Sequence, residues 1–220
     1  MGVLDVIIPR RCAVCRAIGE SLCGVCRDGF VSCAPPVCEC CGAPGPWPVR
    51  RCAECAGRRL GFESARAALV YESRARAFVS SWKERGRRDL SAVAALLVAS
   101  VVVRPDVDVI TFVPGDRDRG LARGHVPAAG LARALGDLWE LPVRGLIERR
   151  AGIKRQRDLP RKERRSNVAR AFSAPGLAPA TVCLVDDVYT TGATAAACSI
   201  VLRRAGARRV DVICLARAVR

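Results

Sequence analysis

The sequence predicts an α/β fold in which a parallel sheet carries helices on both faces, behind a small cysteine-rich domain. Residues 182–185 form an apolar run, typical of a strand buried on both faces, and an alanine-rich helical pattern follows at 193–204. An earlier strand, loop and helix unit covers residues 107–139. Because strands that alternate with helices build parallel sheets, these two units predict one α/β domain.

The other elements follow from the same periodicities. Predicted strands lie at 66–72, 107–113, 182–187 and 208–216, with a short one at 141–146, and predicted helices lie at 74–85, 91–103, 125–139 and 193–204. The composition changes after Gly57, so we expect one domain of residues 1–57 and a second of residues 58–220. Cys183, Cys198 and Cys214 occupy apolar positions and are expected to pack in the core.

The formal charge of +16 is unevenly distributed. Residues 1–57 hold six Arg and five acids, whereas residues 144–170 hold eleven Arg or Lys and three acids. Such a positive field favours polyanions, either a diphosphate substrate or nucleic acid.

The chain is expected to be soluble and cytoplasmic, without membrane insertion. No apolar run reaches the roughly 20 residues that a membrane-spanning helix needs. The first nine residues lack the basic region of a secretory signal.

Ten of the thirteen cysteines lie in the predicted N-terminal domain, and eight of them form four C-x-x-C pairs. The eight are Cys12, Cys15, Cys23, Cys26, Cys38, Cys41, Cys52 and Cys55. A C-x-x-C turn aims two thiolates at one metal, and two such turns complete a tetrahedral zinc site. The competing interpretations are a disulfide-rich module, which a reducing compartment disfavours, and redox chemistry. We therefore predict structural zinc, in two sites.

The pairing of these cysteines is left open by spacing alone. Adjacent pairs would give one site from residues 12–26 and another from residues 38–55, and interleaved pairs are the alternative. Cys33 and Cys40 are left over, and Cys40 could replace a neighbouring ligand. A site of four thiolates has no open position, so a catalytic zinc is not expected.

Two acids, Asp186 and Asp187, end the apolar run at 182–185, and a hydroxyl-rich turn with one glycine follows. The carboxyl ends of parallel strands are where open α/β sheets bind ligands, and a turn at a helix start points backbone N–H groups at an anion. The acids instead suit sugar hydroxyls or a metal. A sugar phosphate is the implied ligand. The alternative is a core strand followed by a capped helix, with two surface acids.

This stretch resembles the phosphoribosyl-diphosphate (PRPP) motif of the type I phosphoribosyltransferases at every position of the motif. The resemblance implies a type I phosphoribosyltransferase-like sheet and makes Asp186 and Asp187 the catalytic residues, which hold the ribose hydroxyls. It assigns the 5′-phosphate to Thr190, Thr191, Gly192, Ala193 and Thr194. Arg117, Arg119 and Arg123, in the basic loop after the 107–113 strand, are expected near the diphosphate.

Over its whole length the chain resembles the ComF/GntX family of phosphoribosyltransferase-like competence proteins. Besides the motif and the cysteines, the shared features include Lys83, which joins the PRPP-binding set, and the stretch from Gln156 to Phe172. The chain departs from the family pattern at residues 114–117 and at His125-Val126-Pro127, in the presumed pyrophosphate loop and the helix that follows it.

The resemblance implies a protein that binds PRPP with Mg²⁺ and acts in DNA uptake, natural transformation or nucleotide metabolism. One hypothesis is a phosphoribosyltransferase that releases diphosphate. The other is a non-catalytic PRPP sensor that binds single-stranded DNA or DNA-uptake and recombination proteins.

The basic stretch 148–170 is expected to close over a bound diphosphate, because that ligand would gather several of its arginines. Hydrogen exchange across the stretch should therefore slow when Mg²⁺–PRPP is added. Unchanged exchange at saturating PRPP, with protection only on addition of single-stranded DNA, would instead make it a DNA-binding segment.

Overall fold

The computed structural model describes residues 10–115, 125–150 and 171–219. The helices are α1 (Gly24–Asp28), α2 (Ser73–Glu84), α3 (Leu90–Ala99), α4 (Pro127–Trp139) and α5 (Ala193–Arg204). The strands are β1 (Ser64–Val70), β2 (Val109–Phe112), β3 (Glu148–Arg149), β4 (Phe172–Ser173), β5 (Thr181–Tyr189) and β6 (Arg209–Arg217).

Four strands form the central sheet in the order β1-β6-β5-β2, and every neighbouring pair is parallel. Strand β5 lies inside the sheet, with Leu184 opposite both Thr111 of β2 and Val212 of β6. The short strands β3 and β4 pair antiparallel in a separate sheet and bracket the segment 151–170, which lies outside the described residues. The predicted parallel α/β architecture is confirmed.

Both faces of the central sheet are buried. On one face, Val182 and Leu184 share a core with α5. On the other face, Cys183 and Val185 share a core with α2, α3 and α4. Side chains of successive strand residues point to opposite faces, so the continuous apolar run of β5 serves both cores.

The cysteine-rich segment also covers both faces. Cys12 and Cys26 belong to the core that contains Phe78 and Trp82 of α2, whereas Cys38 and Cys55 belong to the core of α5. These loops supply apolar cover in a chain whose aromatic residues amount to only 5%. The predicted boundary between residues 57 and 58 stays a prediction.

Backbone groups of the same segment bind the free edge of β1. The Ala65 N–H donates to the Cys40 carbonyl, and the Cys33 N–H donates to the Ala68 carbonyl, each at 2.8 Å. The Val70 N–H donates to the Val31 carbonyl at 2.8 Å. The outer strand of the sheet is therefore partly paired along its edge.

Several predicted boundaries differ from the observed ones. The short strand predicted at 141–146 is reduced to one parallel bridge between Ile110 and Val143, because Pro142 has no N–H to donate. Strand β5 continues two residues beyond Asp187, and α3 ends at Ala99 before the predicted end at residue 103. Helix α4 begins at Pro127, where a missing N–H costs nothing.

The three cysteines predicted to pack in the core do so. Cys183, Cys198 and Cys214 are fully buried, and burial raises the pKa of each thiol, which keeps it protonated. Within the described parts of the chain, no helix combines the length and apolarity needed to cross a bilayer.

Candidate functional site

Asp186 and Asp187 lie where the sheet opens beside β5. The β2 ladder ends with Phe112 opposite Val185, and the Val113 N–H donates to the Val185 carbonyl at 2.9 Å. On the β6 side, pairing continues to the end of β5. The two carboxylates therefore project beside a gap in the sheet, at its carboxyl edge, although both lie within the strand.

Lys83 closes one side of this gap. It lies in the last turn of α2, and its Nζ is 2.7 Å from Oδ1 of Asp187, with both side chains partly buried. The family resemblance had placed Lys83 in the PRPP-binding set. Its pairing with Asp187 brings the lysine into the candidate site.

Asp186 is held in its neutral form near pH 7. The carboxyl is partly accessible but closely surrounded by protein, and loss of hydration raises its pKa to about 8, with the charge of Asp187 acting in the same direction. The Asp187 N–H donates to Oδ1 of Asp186 at 2.8 Å, and this bond and the charge of Lys83 partly oppose the shift. The site thus holds an acid that a ligand can ionise.

The turn 190–194 connects these acids to the start of α5. Gly192 is the residue before the helix and has φ 69°, a left-handed conformation that glycine adopts without strain. Glycine offers no side-chain oxygen to the first-turn N–H groups. Among the described residues, only Oγ1 of Thr191 accepts from one of them, the Ala193 N–H, at 3.3 Å. This 12-residue helix therefore presents backbone donors and the positive end of its dipole to solvent.

Tyr189 lies beneath the same turn. Its side chain is buried, and its hydroxyl has no hydrogen-bond partner among the described residues. A Cβ added at Gly192 would collide with that hydroxyl. Burial raises the pKa of Tyr189 to about 12, against the opposing charge of Arg217, so the phenol stays protonated and can donate. A buried, unpaired donor next to an uncapped helix start indicates an anion as the missing partner.

Two arginines that sequence reasoning missed also reach this turn. Arg58 Nη2 donates to the Thr191 carbonyl at 2.8 Å. Arg217, at the end of β6, lies opposite Tyr189 in the ladder, with its guanidinium carbon 4.6 Å from the centre of the tyrosine ring. Arg217 directly follows the apolar run 212–216, which was a signal for a buried charge pair. Nothing in the local sequence marked Arg58.

The eight C-x-x-C cysteines form two tetrads from adjacent pairs. The first tetrad is Cys12, Cys15, Cys23 and Cys26, and the second tetrad is Cys38, Cys41, Cys52 and Cys55. Within each tetrad the four sulfur atoms lie within 4.8 Å of one another. The pairing that spacing left open is therefore the adjacent one, and the interleaved alternative is excluded.

The tetrads fit zinc in detail. Four thiolates about 2.3 Å from a tetrahedral zinc ion lie about 3.8 Å apart. The observed Sγ–Sγ distances are 3.7 Å for Cys15 and Cys23, 3.7 Å for Cys38 and Cys55, and 3.4 Å for Cys41 and Cys52. The Cys52 N–H donates to Sγ of Cys38 at 3.3 Å, as expected around a thiolate. Such closed sites hold zinc for structure.

Two cysteines and three arginines remain among the predicted residues. Cys33 and Cys40 are buried outside both tetrads, so neither replaces a ligand. Arg117, Arg119 and Arg123, predicted near the diphosphate, lie outside the described residues. Their part in the site, like that of Lys83 and of the 186–194 stretch, stays a prediction.

Comparison with known proteins agrees with this architecture. Residues 3–57 match the family model of the double zinc ribbon domain. The chain is 28% identical to the DNA utilization protein YhgH of Salmonella typhi, with 96% of this chain and 98% of that protein covered. It is 27% identical to Competence protein F of Haemophilus influenzae, with 94% and 97% covered.

The predicted resemblance to the ComF/GntX family is confirmed. The predicted fold class, an α/β domain whose parallel sheet carries helices on both faces behind an N-terminal zinc ribbon domain, is confirmed by the sheet, the double-ribbon match and the two tetrads.

Solved structures offer more distant similarities. The chain is 22% identical to a glutamine PRPP amidotransferase from B. subtilis, with a TM-score of 0.39. The match covers 58% of this chain and 26% of that enzyme. The chain is 25% identical to a purine phosphoribosyltransferase from Pyrococcus horikoshii, with a TM-score of 0.31 and coverages of 62% and 74%.

The tetrads predict that the protein binds two zinc ions per chain. Cys12→Ser and Cys38→Ser should each remove one ion, because three thiolates bind zinc less tightly than four. Elemental analysis of the purified protein measures this. Cys40→Ser is the control, since Cys40 is buried outside the tetrads, and it should retain both ions. A zinc-free chain with mapped disulfides would contradict the prediction.

Proposed function

We propose that the protein binds Mg²⁺–PRPP at the carboxyl edge of β5 and transfers its ribose 5-phosphate, in a process that takes up or uses DNA. One observation carries the binding proposal: two acids in β5 and the uncapped start of α5 lie on the same strand-turn-helix unit. These two features suit the hydroxyl and phosphate ends of one sugar phosphate.

The ribose would lie at the acids. Its 2′- and 3′-hydroxyls would donate to Asp186 and Asp187, because ionised carboxylates only accept. The 5′-phosphate would lie at the 190–194 turn, where backbone N–H groups, the helix dipole and the hydroxyls of Thr190, Thr191 and Thr194 favour an anion. The Tyr189 hydroxyl would gain its missing partner directly or through water.

Transfer would need no covalent nucleophile from the protein. Mg²⁺, which enters with PRPP, would neutralise charge on the departing diphosphate. Lys83 lies at the site in the free protein and would add a second positive charge, with Arg117, Arg119 and Arg123 as the predicted further partners. The acids would hold the ribose while positive charge develops on it.

The link to DNA is supported by two relatives named for DNA utilization and competence, each aligned over more than nine tenths of this chain. The net charge of +16 also favours contact with polyanions. Single-stranded DNA and DNA-uptake or recombination proteins are accordingly the proposed partners, and the cytoplasm is the proposed location.

The same charge favours a second candidate, a PRPP sensor that binds DNA without turnover. Diphosphate release separates the two. Release from Mg²⁺–PRPP that depends on an added base or nucleotide supports transfer. Binding of PRPP without release under any such condition supports the sensor.

Asp187→Ala tests the binding proposal. The variant should bind Mg²⁺–PRPP at least tenfold more weakly, about 1.4 kcal/mol, because a ribose hydroxyl loses its acceptor. Isothermal titration calorimetry measures the dissociation constant. Asp137→Ala, at an exposed position of α4, is the matched control and should bind like wild type. A folded Asp187→Ala protein with wild-type affinity would remove Asp187 from the site.

Binding should also release a proton from Asp186. With a pKa of about 8 in the free protein, this acid is mostly protonated at pH 7, whereas ribose hydroxyls favour its ionised form. PRPP affinity should therefore rise as the pH increases from 7 to about 8 and level off above that.

Asp186→Asn is the control for the titration of PRPP itself, since its amide oxygen still accepts a hydrogen bond but cannot titrate. Calorimetry in two buffers of different ionisation enthalpy counts the released protons. We expect close to one at pH 7 for wild type beyond the count for Asp186→Asn. Equal counts in both proteins would contradict the assignment.

A further inference from the structure

Arg217 is a charged side chain in the interior of the protein. It is 1% exposed and lies at the end of β6, between Val70 of β1 and Tyr189 of β5. One guanidinium nitrogen donates to the Cys41 carbonyl at 2.6 Å. The other donates to Oε2 of Glu54 at 2.6 Å and lies 3.7 Å from Sγ of Cys41. Its partners on this side all belong to the second tetrad and its loop.

A buried guanidinium requires compensating negative charge. Glu54 supplies one charge at the partly exposed side. Four thiolates around one zinc ion carry a net charge of −2, and hydrogen bonds to ligand sulfurs are the usual outer support of such sites. The second tetrad, when it holds zinc, would therefore stabilise Arg217 in its observed position, whereas neutral thiols would not.

The opposite side of Arg217 faces the candidate phosphate site. Its guanidinium lies over the ring of Tyr189, whose hydroxyl lies against Gly192. A second connection runs from the same tetrad: Arg58, three residues after Cys55, donates to the carbonyls of Glu54 and of Thr191. Arg217 thus connects the second tetrad to Tyr189, just before the 190–194 turn, and Arg58 connects the same tetrad to Thr191 within the turn.

The first tetrad has different neighbours. The Ala13 carbonyl within it accepts from Oγ of Ser81 in α2 at 2.7 Å, and the Arg11 carbonyl beside it accepts from Arg87 at 2.7 Å. Its buried cysteines belong to the core on the other face of the sheet. It therefore serves as a matched internal control.

We propose that the second tetrad positions the 190–194 turn for anion binding, with Arg217 and Arg58 as the positioning residues that connect them. The anion is the 5′-phosphate of the proposed ligand, so this inference rests on the proposed function. Loss of the second zinc would loosen the turn, whereas loss of the first would not.

Exchange of the backbone amides of residues 189–194, measured without ligand, tests the connection. Cys52→Ser should lose one zinc and speed this exchange at least tenfold. Cys15→Ser should lose one zinc and leave it within about twofold of wild type. Equal acceleration in both variants, or none in Cys52→Ser despite the lost zinc, would overturn the proposal.

Titration with Mg²⁺–PRPP supplies the second readout. Arg217→Met should weaken binding at least tenfold, and Arg217→Lys, which keeps the charge, should recover part of that loss. If Arg217→Met does not fold, Arg58→Met replaces it: this residue is only partly buried, and its loss should weaken binding several-fold with both zinc ions retained. Wild-type affinity in the folded arginine variants would overturn the positioning roles.

The two hypotheses fail differently. If wild type does not bind Mg²⁺–PRPP but the exchange of residues 189–194 still depends on the second tetrad, the proposed function is wrong and the connection stands. If wild type binds and neither readout responds to the second tetrad or its arginines, the connection is wrong and the proposed function stands.

Discussion

Burial of the central sheet on both faces is the constraint on which the rest of this structure depends. Most residues of strands β5 and β6 are buried, so each face needs a cover, and helices provide only part of it. The two cysteine tetrads complete the cover, one in each core. Because a zinc site can contribute on the order of 10 kcal/mol to folding, metal-bound loops can replace the large aromatic side chains that the chain lacks. Each tetrad therefore belongs to the core of the sheet face that it covers.

The candidate site is organised at the expense of stability. Asp186 binds its proton more tightly in the folded protein than in the unfolded chain, since its pKa rises from 3.8 to about 8. Its contribution to stability is therefore present below about pH 4 and is lost as the pH rises towards 8. Lys83 pairs with Asp187, and among the described residues Asp186 has no ion pair of its own. A strongly shifted pKa of this kind is typical of groups in a ligand-binding site.

The sequence specified what is local and missed what is distant. Helix α5 was predicted with its observed bounds, because the glycine turn and the alanine-rich pattern are adjacent in the chain. The cysteine spacing likewise predicted the metal ligands, although their partition into tetrads needed the structure. Arg217 and Cys41 are 176 residues apart, and no periodicity or motif connects them. Tyr189 occupies a position at which the PRPP motif accepts any residue, so the motif did not predict its buried hydroxyl.

The hydrogen bonds between the cysteine-rich segment and β1 also bear on how the protein avoids aggregation. An outer strand with free N–H and C=O groups is a template for pairing with another chain. Here the backbone groups of Cys33 and Cys40, neither of which belongs to a tetrad, form hydrogen bonds with β1 and pair part of that edge. Their own loop is folded by the metal that their neighbours bind. Loss of the metal would free this loop, and the edge of β1 would then be open to pairing with a strand of another chain.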